Sequence, residues 1–146
     1  DCYLWIAGTG ELQADLQKLA EDLQISDRVR FLGWRTDKEA LFSAADICLY
    51  PSRIEPFGNV ILDAWASGTP IVAAASQGPS TYISHEKTGL LSRIDDVEDM
   101  VSQVNRLTAD TSYGNELVQN GRAEYEANFT EQVAVQNWKN LFERLA

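Results

Sequence analysis

Histidine is almost missing from this chain: His85 is the single one among 146 residues. Cysteine is scarce too, with Cys2 and Cys48 set far apart in the apolar runs CYLWIA and ICLY. One imidazole and two separated thiols give no zinc-ligand spacing, and two cysteines make no disulfide framework. The thiols read as buried and free, as in a reducing cytosol. A Ser-His-Asp triad would have to be built on His85 in the turn-like SHEKTG, and nothing beyond the presence of Ser and Asp elsewhere supports one. Basic residues are few: 12 Lys and Arg face 22 Asp and Glu, for a formal net charge of -10. That balance excludes a surface that coats nucleic acid, which needs clustered cations. A phosphate can still be bound, but only locally, against a solvated acidic surface. No apolar run approaches the roughly 20 residues that cross a bilayer, and no basic leader precedes the first apolar run. The expectation is a cytoplasmic protein, at most peripheral at the inner face of a membrane.

What is present suffices for one ordinary core, with 45% of residues hydrophobic. A single domain is expected over residues 1–146. The chain opens on DCYLWIAG, an apolar run without lead-in, and Asp1 is not a natural initiator, which suggests a segment of a longer protein. CYLWIAG, VRFLG, DICLYPS, PIVAAA and TGLLS read as strands, the first and fourth as near-continuous apolar runs buried on both faces. GELQADLQKLAEDLQI places Leu12, Leu16, Leu19, Ala20 and Leu23 at helical spacing. DKEALFSAA is a short helix capped by Thr36 or Asp37, and SQGPS reads as a turn. A helix is predicted from Asn59 to Ser67, stopped by Gly68 and Pro70. The chain is helical from Asp95 onward, and Thr130 caps the last helix. Strands alternating with helices predict a Rossmann-like, doubly wound parallel α/β sheet. Ligands in such sheets sit beyond the carboxyl ends of the strands, so the loops 8–11, 33–37, 51–59 and 75–79 carry the interest.

The GTG at 8–10 lacks the third glycine of a dinucleotide fingerprint, and a tight turn explains it equally well. IEPFGNV says more. Pro56 stiffens a turn, Gly58 lets backbone approach a ligand, and the helix then begins near Asn59. The first amides of a helix have no intrahelical acceptor and carry the positive end of its dipole, so they bind an anion without lysine; Arg53 stands near to assist. Glu55 lies just before the helix, and Asp63 lies one turn inside it, on the face of Asn59. Carboxylates at two depths of one cleft suit vicinal hydroxyls of a sugar or a ribose. The same residues also allow a purely structural helix, polarised by its acids, with an internal basic partner for Asp63.

PSRIEPFGNVILDAWASGTPIVA resembles the signature of the C-terminal domain of retaining GT-B glycosyltransferases of family 4: Pro-Ser, a Glu, Phe-Gly, a second acid with seven residues between, then Gly-x-Pro. LWIAGTGE, VRFLGW, LFSAADICLYPS and TGLL follow in the family's order, over nearly the whole chain. The resemblance implies the C-terminal half of a GT-B fold that binds a nucleotide diphosphate sugar and transfers its hexose. It assigns Glu55, as catalytic contact, to hydroxyls of the transferred sugar. The amides of Phe57, Gly58, Asn59 and Val60, with Arg53, fall to the sugar and diphosphate, Asp63 to the ribose, and Trp34 and Arg35 to the base. It implies no metal and no further cofactor, the leaving diphosphate being stabilised by amides and basic residues. Two departures stand out: the second acid is Asp63 where the family has Glu more often, and QGPST replaces the common Gly-Gly-x-x-Glu, with Thr81 at the acid's place. The resemblance further implies an acceptor-binding N-terminal domain outside this chain, on which residues 130–146 pack, and a glycan or lipid-linked acceptor. AASQGPS brings the chain near lipopolysaccharide core transferases, mannosyl ones among them. A non-catalytic nucleotide-sugar module and a GT-B epimerase share the fold; the first has no need of Glu55, and the second wants other acids and a His.

Overall fold

A computed structural model describes residues 2–145. The chain divides into two compact units, one ending at Lys38 and one beginning at Glu39. The first holds β1 (Leu4–Ala7), α1 (Gln13–Asp22) and β2 (Val29–Gly33). The strands pair in parallel, Leu4 opposite Val29, with an irregularity between Ile6 and Ala7. β1 was expected to be buried on both faces, but Leu4 is 42% and Trp5 44% exposed. Among the described strands β1 pairs with β2 alone, and burial depends on what lies over a strand as much as on its own apolarity. The leucine row of α1 is where the spacing put it, yet Leu12, Leu16, Leu19 and Leu23 are exposed and only Ala20 is buried. Cys2 is likewise exposed rather than buried, and Cys48 is half-buried; both thiols are free.

α2 (Lys38–Ala44) starts at the boundary, and the second unit continues with β3 (Cys48–Tyr50), α3 (Asn59–Ser67), β4 (Ile71–Ala74), α4 (Gln77–Tyr82), β5 (Leu90–Ser92), α5 (Val97–Ala109), α6 (Thr111–Asn128) and α7 (Glu131–Leu145). Its sheet runs β3-β4-β5, all parallel, with Cys48 opposite Ile71 and Val72 opposite Leu90. Side chains alternate across a strand, and β4 therefore feeds two cores. Ile71 and Ala73 join Ile61, Ala64 and Trp65 of α3 on one face. Val72 joins Leu90, Leu107 and Leu117 on the other, under α5 and α6. Both faces are covered, as a parallel sheet requires, and each fully buried aliphatic side chain such as Ile61 contributes about 2 kcal/mol.

α3 has the predicted bounds. Gly68 ends it in the left-handed region at φ 72°; its N–H donates to the Trp65 carbonyl at 3.2 Å and that of Thr69 to Ala64 at 2.9 Å, which satisfies the last carbonyls of the helix. Asp96 and Asp110 cap α5 and α6 by accepting from the N–H of Asp99 and Tyr113. Thr130 caps α7 as predicted, its Oγ1 accepting from Val133 N–H at 3.4 Å. The predicted turn SQGPS is instead the start of α4. Pro79 falls within its first turn, where the missing N–H costs no hydrogen bond.

Candidate functional site

β3 delivers the chain to the carboxyl end of the sheet at Tyr50, and Pro51 stops the ladder there. The loop 51–58 then carries the chain to α3. Gly58 precedes α3 at φ 96°, a backbone conformation side chains rarely adopt, and a Cβ there would meet Ile61 Cδ1 at 2.9 Å. α3 begins with no side-chain capping hydrogen bond. Its leading amides, at Asn59 and Val60, have no intrahelical acceptor by helix geometry and stand at the positive end of the dipole.

Glu55 is half-buried in this loop. Its carboxylate accepts from the Tyr50 hydroxyl and from Phe57 N–H at 3.2 Å. Those bonds, Tyr50 first, hold the carboxyl below its ordinary range, so it is an ionised acceptor at neutral pH. Burial, with Glu55 second, pushes the Tyr50 phenol up to about 12, so it remains a donor. The structure thus brings Glu55, Phe57 and Gly58 together at the N-terminus of α3. An acceptor-only carboxylate beside an uncapped helix start can take hydroxyl donors at one side and an anion at the other.

Asp63 lies one turn further along α3, half-buried. Burial, then the charge of Asp63, pushes the Cys48 thiol up to about 12, which puts the carboxylate near Cys48. Asp63 also takes part in an interaction within the chain, so its desolvation is not left to a ligand alone. Cys48 and Tyr50 both pack against the core beneath α3, on one face of β3. Arg53 is ion-paired to Asp95 across the loops that follow β3 and β5, and both side chains are exposed. Trp34 and Arg35 belong to the first unit, just after β2. Trp34 is 77% exposed, and Arg35 holds Asp37 by a bidentate fork at 2.8 and 2.5 Å. Among the described residues no group of three or more His, Cys, Asp and Glu side chains could hold a metal ion.

Three partners of the candidate site are not legible in the sequence. In the sequence Tyr50 reads only as the end of a strand, Gly78 as part of a turn, and Asp95 as the start of a helical region. Gly78 N–H donates to the Glu55 carbonyl at 2.6 Å, and the Phe57 ring meets Tyr82 of α4 edge to face with centroids 4.9 Å apart. The aromatic just before Pro51 was the one available signal for Tyr50; nothing local marks the other two.

Comparison with known proteins gives a consistent picture. Residues 1–124 match the family model described as Glycosyl transferases group 1. The lipopolysaccharide core biosynthesis glycosyltransferase LpsE of Rhizobium meliloti (strain 1021) is 37% identical over 139 residues, which is 95% of this chain and 41% of LpsE. LpsD of the same organism is 32% identical over 142 residues, 97% of this chain and 41% of LpsD. The crystal structure of Anabaena Alr3699/HepE in complex with UDP superposes with a TM-score of 0.89 at 26% identity, covering 97% of this chain and 41% of HepE; HepE has also been crystallised with UDP-glucose. The chain thus spans about two fifths of the length of these relatives.

Proposed function

Because the chain belongs to the glycosyl transferases group 1 family, and its parallel α/β fold is that of the C-terminal half of GT-B glycosyltransferases, we propose that it is the donor-binding half of a retaining hexosyltransferase. The observation that carries the proposal is the ionised Glu55 carboxylate beside the uncapped start of α3. In this reading Glu55 accepts hydroxyls of the transferred sugar. The Gly58, Asn59 and Val60 amides, with Phe57 N–H exchanging the Glu55 carboxylate for a phosphate oxygen, receive the diphosphate, which leaves with its negative charge stabilised by fixed donors. Arg53 joins them by exchanging Asp95 for the phosphate. Asp63, one turn deeper, takes the ribose diol, and Trp34 and Arg35 take the base by family resemblance alone. The bound UDP and UDP-glucose of HepE support a nucleotide-sugar donor.

The acceptor, in this proposal, is a glycan of the lipopolysaccharide-core kind, by likeness to LpsE and LpsD; mannose is the first sugar to try. The acceptor-binding half lies outside this chain, and α7 packs on it through Trp138, Leu141 and Phe142, which are exposed here with the Trp138 and Phe142 rings stacked at 5.9 Å. Titration calorimetry of the full-length protein with UDP-, GDP- and ADP-sugars tests the proposal. Binding of one of them is expected, and no heat with any of the three contradicts it.

A further inference from the structure

Gly78 occupies a place where no side chain fits. It is buried in the first turn of α4. A Cβ there would lie 2.3 Å from the Phe57 carbonyl oxygen, 2.6 Å from its carbonyl carbon and 2.9 Å from the Glu55 carbonyl oxygen. All three are backbone atoms, which cannot swing aside as a side-chain tip can. The glycine is not demanded by conformation, because Gly78 is not among the positive-φ glycines, and alanine is the better helix former. What the glycine provides is close approach. The backbone of residues 55–57 rests on α4, with Gly78 N–H on the Glu55 carbonyl and the Tyr82 ring against Phe57. From the other side, β3 supplies the Tyr50 hydroxyl to the Glu55 carboxylate.

A glycine that merely lets a loop lie flat over the core would press on any part of the loop. Here the contact falls on Glu55 and Phe57, while the neighbouring Ile54 is 89% exposed. We propose that Gly78 and Tyr50 are positioning residues, one fixing the backbone of Glu55 and the other its carboxylate, so that the acid meets the transferred sugar in one geometry. This rests on the reading of Glu55 as the ligand of the donor sugar. Neither residue touches substrate; both act through Glu55.

The test compares Gly78→Ala, Tyr50→Phe and Glu55→Gln in the full-length transferase, measuring kcat with the donor sugar and, separately, affinity for the nucleoside diphosphate. Displacing a reacting contact by about 1 Å costs up to about 100-fold in rate. Gly78→Ala is therefore expected to lower kcat by 10- to 100-fold, with diphosphate affinity held within about twofold. A wild-type kcat for Gly78→Ala overturns the proposal, and so does a loss of diphosphate affinity in step with turnover. Should Gly78→Ala fail to fold, Tyr50→Phe decides alone: it keeps the ring and loses one hydrogen bond, for an expected fall of about tenfold in kcat, and an unchanged kcat overturns the proposal. Glu55→Gln separates the two levels. If it transfers normally, the donor-site reading fails as well; if it is inactive while Gly78→Ala and Tyr50→Phe are normal, only the positioning role falls.

Discussion

At the scale of single residues, the proposed site turns on Tyr50 and Glu55. A carboxyl whose pKa is lowered in the folded protein keeps its charge, and the stability that its contacts contribute, above the ordinary carboxylate range; both are lost as pH falls through the lowered value. The Tyr50 hydroxyl is the largest cause of that lowering for Glu55. Tyr50→Phe should therefore move the acid limb of the pH-rate profile to higher pH, because the carboxyl begins to protonate earlier on the way down. A profile with the same acid limb in Tyr50→Phe would show that Glu55 is not the group titrating there. Glu55 was legible in the sequence because Pro56, Phe57 and Gly58 mark a turn into a helix around it. Tyr50 and Gly78 were not, because their roles come from atoms that only the fold brings close: Tyr50 is five residues from the acid it serves, and Gly78 is 23 residues away and in another element.

Elements that carry their own punctuation are legible in the sequence. α3 starts after Gly58 and stops at Gly68 because both adopt positive φ, and Pro70 bars continuation. α4 is not legible because Gly and Pro inside it are turn residues by propensity, while its packing against the 55–57 backbone comes from distant sequence. β1 is less buried than its apolar run implies for a related reason: a pattern tells which face of an element is apolar, not what covers it. The contact of α3 with α6 gives the element-scale prediction. A Cβ at Gly121 would lie 2.4 Å from Trp65 Cδ1 and 2.7 Å from its Nε1. Trp65 is 2% exposed and its indole N–H donates to the Thr88 carbonyl at 2.8 Å, so the ring has little room to retreat. Overpacking in Gly121→Ala should cost about 2–3 kcal/mol, toward the upper end because the ring is fixed, against a gain of about 1 kcal/mol from alanine in a helix, for a net destabilisation of about 1–2 kcal/mol. Thermal or urea unfolding checks the sign, and a higher midpoint in the variant would mean that the α3–α6 contact is looser than described.

At the scale of the whole molecule, the proposed anion site belongs to a chain of net charge -10. Backbone amides and a helix dipole reconcile the two, since they attract a phosphate over one turn of helix without altering the net charge. The chain spans about two fifths of its relatives, and apolar side chains stand exposed on β1, α1 and α7. The full-length protein is therefore the place to test the central claim, that Glu55 reads the sugar while the start of α3 holds the diphosphate. The most direct measurement is Glu55→Ala in that protein, with sugar transfer and nucleoside diphosphate affinity determined side by side. The account predicts that transfer falls by about 100-fold or more, as for loss of a transition-state contact, while diphosphate affinity is unchanged. Lost diphosphate binding, or transfer at the wild-type rate, would contradict it.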